Sequence, residues 1–195
     1  MILLLAIFAG LTAGIIRALV NRRKLAAPNL RFIWIVPLAF LPQLFAFQIP
    51  ATRASIPDQW IPAALIGSQL FLLIFTAANL RQPGFWLLGA GLLLNLVVIT
   101  LNGGWMPISP ETVKRLAPNA PSGAWEIGKR LGLTKDKVIQ SSDTHLWLLS
   151  DRFVFPDWFN YHIAFSIGDV LIALGAIWFF WSLGGPSNPD QIRGA

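Results

Sequence analysis

The sequence contains no cysteine, which excludes disulfides, thiolate chemistry and cysteine-ligated metals. Histidine is nearly as scarce, with only His145 and His162. Haem held between helices needs histidines well inside apolar runs, and zinc needs three or four convergent ligands. Neither pattern is present, so no metal and no cofactor are expected. There is also no Asn-x-Ser/Thr glycosylation acceptor. Charge is sparse, at 12% of residues, against about 25% in a typical soluble domain. The net charge of +6 could suggest nucleic acid, but no recognisable binding fold or motif accompanies it. Five basic residues, Arg17, Arg22, Arg23, Lys24 and Arg31, instead crowd one short segment between apolar runs. That arrangement is a membrane-topology signal, and no nucleic-acid partner is expected.

What is abundant is apolar sequence in long blocks, 55% of the chain. Soluble cores need periodic apolar stripes, whereas lipid needs unbroken runs. Nine Trp and fourteen Phe suit a chain with two water–lipid interfaces. The runs are Met1 to Val20, Phe32 to Ile49, Trp60 to Leu80, Phe85 to Leu101 and Tyr161 to Leu183. They predict an all-α membrane protein, a bundle of about five transmembrane helices with a small extracytoplasmic loop domain. A multi-pass protein of the bacterial inner membrane has this pattern. The first run has no basic residue before it, and its positive charges follow it, unlike a cleaved signal peptide. The N-terminus is therefore expected outside and the C-terminus in the cytoplasm.

Three regions follow: 1–101 with four transmembrane helices, 102–160 as the extracytoplasmic loop domain, and 161–195 with the fifth helix and a cytoplasmic tail. Pro37 and Pro42 should kink the second helix. The 102–160 stretch is too long for a simple connection, and its seven basic and six acidic residues nearly cancel. Ser109-Pro110-Glu111 reads as an N-cap, a first-turn proline and a first-turn acid. Ala124 to Leu133 reads as a short helix, weakened by Gly128 and Gly132. Leu146 to Phe155 is apolar enough to lie on a membrane surface.

Polar side chains inside lipid-type runs need a reason, because lipid supplies no hydrogen bonds. Gln43, Gln69, Asn95 and Asp169 all fall roughly 9–14 Å below the predicted outer boundary. Ser166 lies one turn above Asp169, and Asn102 two turns above Asn95. One reading is hydrogen-bonded glue between helices, worth about 0.6–2 kcal/mol per pair. The other is a polar pocket formed by Gln43, Gln69, Asn95, Asn102 and Ser166, open to a membrane lipid or to a partner membrane subunit. Asp169 is the only acid within any run, where it costs about 2.5–3.5 kcal/mol. No basic residue shares its depth, so it should either be protonated or face a wet pocket.

Three stretches resemble an uncharacterised family of small bacterial membrane proteins of unknown function. They are Asn102-Gly103-Gly104-Trp105-Met106-Pro107, Leu149-Ser150-Asp151, and Phe165-Ser166-Ile167-Gly168-Asp169-Val170 with Gly175. That resemblance implies a multi-pass membrane protein and supplies no activity. The chain also resembles lipoprotein signal peptidases. That family uses two aspartates at the outer membrane surface, one of them in a Phe-Asn-x-Ala-Asp motif near the start of the last helix. Asp151 and Asp169 have a similar spacing here, and Phe165, Ser166, Gly168 and Asp169 match the motif with Ser for Asn and Gly for Ala. The resemblance implies catalytic roles for Asp151 and Asp169, which would share one proton and activate water. This sequence departs from that family in having five runs rather than four, and in lacking its Gly-Asn-x-x-Asp-Arg motif. Two functions therefore stand side by side. One is a binding or accessory protein with a polar pocket near the outer leaflet. The other is an aspartyl hydrolase, which requires Leu146 to Phe155 to fold back onto the last helix.

Overall fold

A computed structural model describes residues 2–156, 158–159 and 162–185. The chain is mostly helical, with seven α-helices among the described residues. In α1 (Ile2–Val20) the buried residues are Ala6, Gly10, Gly14 and Ala18. A small residue at every fourth position makes one smooth face, and backbones can approach closely across it. The facing helix is α7 (Ile167–Ser182). A Cβ built on Gly10 would come within 2.8 Å of the Ile177 Cα, and one on Gly14 would overlap the Phe180 carbonyl. Numbers rise together along both helices, so α1 and α7 run parallel. Helix α5 (Phe85–Leu101) packs on α7 in the opposite sense, with Gly84 against Gly175 and Gly91 against Gly168.

Helix α2 (Ile35–Gln43) contains Pro42 and continues as a wider π turn, Leu44–Gln48. Proline removes one donor from the helical ladder, and a widened turn is one way the backbone absorbs that loss. A short α3 (Pro50–Arg53) and a 3-10 turn, Asp58–Trp60, lead into α4 (Ile61–Ala78). Helix α4 packs against α2 and α5, giving the lateral order α1, α7, α5, α4, α2. An aromatic cluster holds one end of this array, with Phe85 tilted between Phe75 and Phe179 at 5.7 and 5.3 Å.

These five apolar helices follow the five predicted runs, and α5 matches its run residue for residue. By length and composition, α1 and the stretch Asp58–Ala78 can cross a membrane, whereas Ile35–Gln48, Phe85–Leu101 and Ile167–Ser182 are shorter.

The long connection after α5 forms a small unit around a central strand. Strand β1 (Met106–Ile108) pairs in parallel with β2 (Asp136–Val138), while Ile108 bridges Asp151 on its other side. Helix α6 (Pro110–Leu116) starts as predicted, the Ser109 hydroxyl accepting from the Thr112 amide. Ile108, Val113 and Val138 form the local core. Strand β3 (Phe153–Val154) pairs antiparallel with β4 (Ala164–Phe165), directly before α7. The Leu146–Phe155 segment therefore folds back onto the last helix, partly through a 3-10 turn, Trp147–Leu149.

Two expectations need correction. Ala124 to Leu133 is a chain of turns and not a helix, with Gly128 and Gly132 at φ of +81° and +54° and Arg130 bridged to Lys137. The last helix begins at Ile167, because 164–165 are drawn into a strand pair. The predicted start at Tyr161 and the tail 186–195 lie outside the described residues.

Candidate functional site

The later start of α7 changes what Asp169 is. It occupies the first turn of the helix rather than a position two turns inside. The Ser166 hydroxyl accepts from the Asp169 amide at 3.0 Å, and Asp169 Oδ2 accepts from the Ser166 amide at 3.2 Å. This reciprocal cap satisfies two otherwise orphaned donors, and a helix N-terminus favours an acid. Asn95 of α5 closes the group. Its Nδ2 donates to Asp169 Oδ1 at 2.9 Å, and its Oδ1 accepts from the Ser166 hydroxyl at 3.0 Å. Gly168 makes the closure possible, since a Cβ there would overlap Asn95 Oδ1. Asp169 is thus held by a helix cap and one amide, and needs no basic partner at its depth.

A second group lies on the strands. Asp151 is 1% exposed, and its amide donates to the Pro107 carbonyl at 3.1 Å. Lys135 Nζ donates to Asp151 Oδ2 at 2.6 Å and lies 3.5 Å from Asp136 Oδ1. Strand β1 organises the three, with Asp136 paired to Met106 on one side and Asp151 bridged to Ile108 on the other. Asp151 Oδ1 and Asp136 Oδ1 are buried without a hydrogen-bond partner. The Lys135 side chain is 37% exposed, so its stem reaches the surface while its ammonium turns inward.

Burial pushes the Asp151 carboxyl well above the ordinary carboxylate range; Lys135 offsets part of this, and the charges of Asp136 and Asp169 add to it. Burial pulls Lys135 down, but Asp151, Asp136 and Asp169 together outweigh it and hold the ammonium protonated. Burial is thus the main cause at Asp151, whereas at Lys135 the surrounding carboxylates outweigh burial. The cluster therefore favours retaining a carboxyl proton.

Asp151 and Asp169 are thus within electrostatic reach of each other, yet each has its own partners. No hydrogen bond joins them among the described residues. Lys135, which ties up Asp151, was not legible as a site residue. It sits in a Lys-Asp-Lys run that reads as ordinary surface charge.

The remaining polar residues separate from this centre. Asn102 caps α5 and clamps the His145 backbone, donating to its carbonyl and accepting from its amide, both at 3.0 Å. Asn79 does the same to Arg31 at the other end of the α4–α5 hairpin, at 2.9 and 2.8 Å. Gln43 and Gln69, both half-buried, make no bond to the Asn95 group, and Gln69 Oε1 is buried without a partner. A cavity of about 280 Å³ beside Trp105 and an apolar one of about 300 Å³ between α1 and α2 are lined by other residues. Of the five expected pocket residues, Asn95 and Ser166 join Asp169 in one hydrogen-bonded group, and Gln43, Gln69 and Asn102 make no hydrogen bond to it among the described residues. No group of three acidic or histidine side chains is placed to hold a metal among the described residues. Gly104 in the Asn102–Pro107 stretch has φ +83°, and a Cβ there would overlap Pro62 at the head of α4.

Residues 28–181 match the family of unknown function DUF5317. The chain is also 30% identical over 138 residues to an uncharacterized protein of Thermotoga maritima, an alignment covering 70% of this chain and 73% of that relative. No solved structure matches it. The chain belongs to the DUF5317 family.

Proposed function

We propose that this DUF5317 member is an integral membrane protein with five spans. Its N-terminus and the 102–160 unit lie outside the cytoplasm, its C-terminus lies inside, and it acts as a binding or accessory protein rather than a hydrolase. The observation that carries the membrane reading is exposure. Only 22% of residues in the two longest apolar windows are buried, while Phe8, Leu19, Val20, Ile74 and Trp86 are 56–76% exposed. A water-soluble monomer rarely leaves apolar patches beyond a few hundred Å². Lipid removes that cost. The basic Arg17–Arg31 segment against the nearly neutral 102–160 stretch supports the orientation.

Geometry favours binding over hydrolysis. An aspartyl dyad works because two carboxyls share one proton directly. Here Asp151 is engaged by Lys135, and both Asp169 oxygens accept from fixed donors. Ser122→Cys and Arg23→Cys, each the only thiol in the chain, test the membrane reading with an impermeant thiol reagent on intact cells. Labelling of the Ser122 site alone is expected, with the protein resisting carbonate extraction. Labelling of the Arg23 site alone would overturn the orientation, and release into carbonate would overturn the membrane assignment.

A further inference from the structure

The cavity beside Trp105 has a chemistry that neither polar cluster uses. Three cationic side chains line it, Lys129, Arg130 and Lys137, against one acid, Asp58. Arg130 is the fixed member. Its side chain is 5% exposed, Nε donates to the Thr134 carbonyl at 2.7 Å, Nη2 to the Leu133 carbonyl at 2.9 Å, and Nη1 to Asp58 Oδ1 at 2.9 Å. Its guanidinium carbon lies 5.6 Å from the Phe47 ring centre and 5.8 Å from that of Trp105. Asp58 is thereby consumed by Arg130. Lys129 and Lys137 have no acidic partner among the described residues.

The backbone forces these charges together. Arg130 and Lys137 are bridged antiparallel, the Val138 amide donating to the Lys129 carbonyl at 3.0 Å and the Gly128 amide to the Val138 carbonyl at 2.7 Å. Like charges placed opposite each other across a strand pair are destabilising, and an anion between them reverses the sign. The cavity also opens at a defined height. Gln59 and Pro62, at the head of the apolar α4, line it, next to Trp60, which is 60% exposed. Further along α4, Leu70 and Ile74 are exposed apolar side chains.

We propose that this cavity binds the phosphate of an anionic phospholipid headgroup, with the acyl chains running down the exposed flank of α4. The proposal rests on the membrane reading above and names the ligand class of the binding function. About 280 Å³ admits a headgroup and not its chains. A zwitterionic headgroup presents the same phosphate but brings an ammonium toward two unpaired lysines, so anionic lipids are preferred.

The test uses the full-length chain purified in mild detergent. Short-chain phosphatidylglycerol, short-chain phosphatidylcholine and inorganic phosphate are titrated separately, binding is read by calorimetry, and folding by circular dichroism. Phosphatidylglycerol should bind saturably and more tightly than phosphatidylcholine, and raised salt should weaken it. Lys129→Gln with Lys137→Gln should weaken it about tenfold. Lys129→Gln alone, at an exposed side chain without a partner, should weaken it several-fold and keeps the test decisive if the double variant misfolds. Unchanged binding in a folded variant would overturn the proposal. Complete displacement by equimolar inorganic phosphate would overturn the lipid source. Insertion into phosphatidylcholine vesicles separates the two readings. If the wild type does not insert, the membrane reading fails. If it inserts yet the lysine variants bind phosphatidylglycerol like wild type, only this inference fails.

Discussion

The Asn95–Ser166–Asp169 group and the Lys135–Asp136–Asp151 group each centre on an aspartate, and the charge of Asp169 is felt in both. They are built on opposite plans. In the first, both carboxylate oxygens and the Ser166 hydroxyl have named partners. A closed network of this kind rigidifies and positions, and here it pins the start of α7 to α5. In the second, one ammonium faces Asp151 and Asp136, and each keeps a buried oxygen without a hydrogen-bond partner. An open network is electrostatically loaded, and its state depends on protons. Asp169 therefore has the geometry of a clamp, while the raised carboxyl is that of Asp151.

Removing the single cation of the open group should have the largest effect. Lys135→Met leaves Asp151 buried and uncompensated, a change that costs about 3–5 kcal/mol at fully buried sites. With Lys135 partly exposed, about 3 kcal/mol is expected from chemical unfolding at neutral pH. Wild-type stability at neutral pH in Lys135→Met would mean that the pair does not hold the loop unit.

The pH profile sharpens the contrast. Since the folded carboxyl of Asp151 is raised, the native protein keeps a proton that the unfolded chain releases above about pH 4. The stability due to that proton is full below this value and is lost as pH rises through the raised one. Asp151→Asn should flatten the decline in thermal midpoint across this window. A decline as steep as in wild type would mean that the retained proton is not on Asp151.

The closed group should be sensitive to shape. Gly168→Ala drives a methyl into Asn95 Oδ1 and to 2.8 Å from the Gly91 carbonyl, which should cost about 1–3 kcal/mol by overpacking. A neutral result in a denaturant melt would show that α5 and α7 are not held as tightly as described. Asp169→Asn is the mildest change. It keeps one side-chain acceptor but turns an NH2 on the Asn95 amide or the Ser166 N–H, so it loses one hydrogen bond as well as the charge, about 1–2 kcal/mol. A loss above about 3 kcal/mol would show that Asp169 carries more than a cap and a hydrogen bond.

Much of the architecture was legible in one dimension. An unbroken apolar run is a property of neighbouring residues, so the five apolar helices, the Ser109 cap of α6 and the proline-disturbed second helix all announced themselves. The Ala6, Gly10, Gly14 and Ala18 stripe was equally readable in principle, being a strict four-residue spacing. The helix expected over Ala124 to Leu133 failed because two glycines with positive φ outweighed a weak apolar period. What the sequence by itself determined is therefore the set of apolar helices and their breaks, since propensity and periodicity act over a few residues. Only the tertiary structure decided that α7 begins at Ile167, making Asp169 a cap, and that Lys135 reaches Asp151 across sixteen positions while Asn95 meets Asp169 across seventy-four. Those pairings depend on the register of β1 and on the glycine contacts between α5 and α7, which are distances between segments that no local pattern encodes.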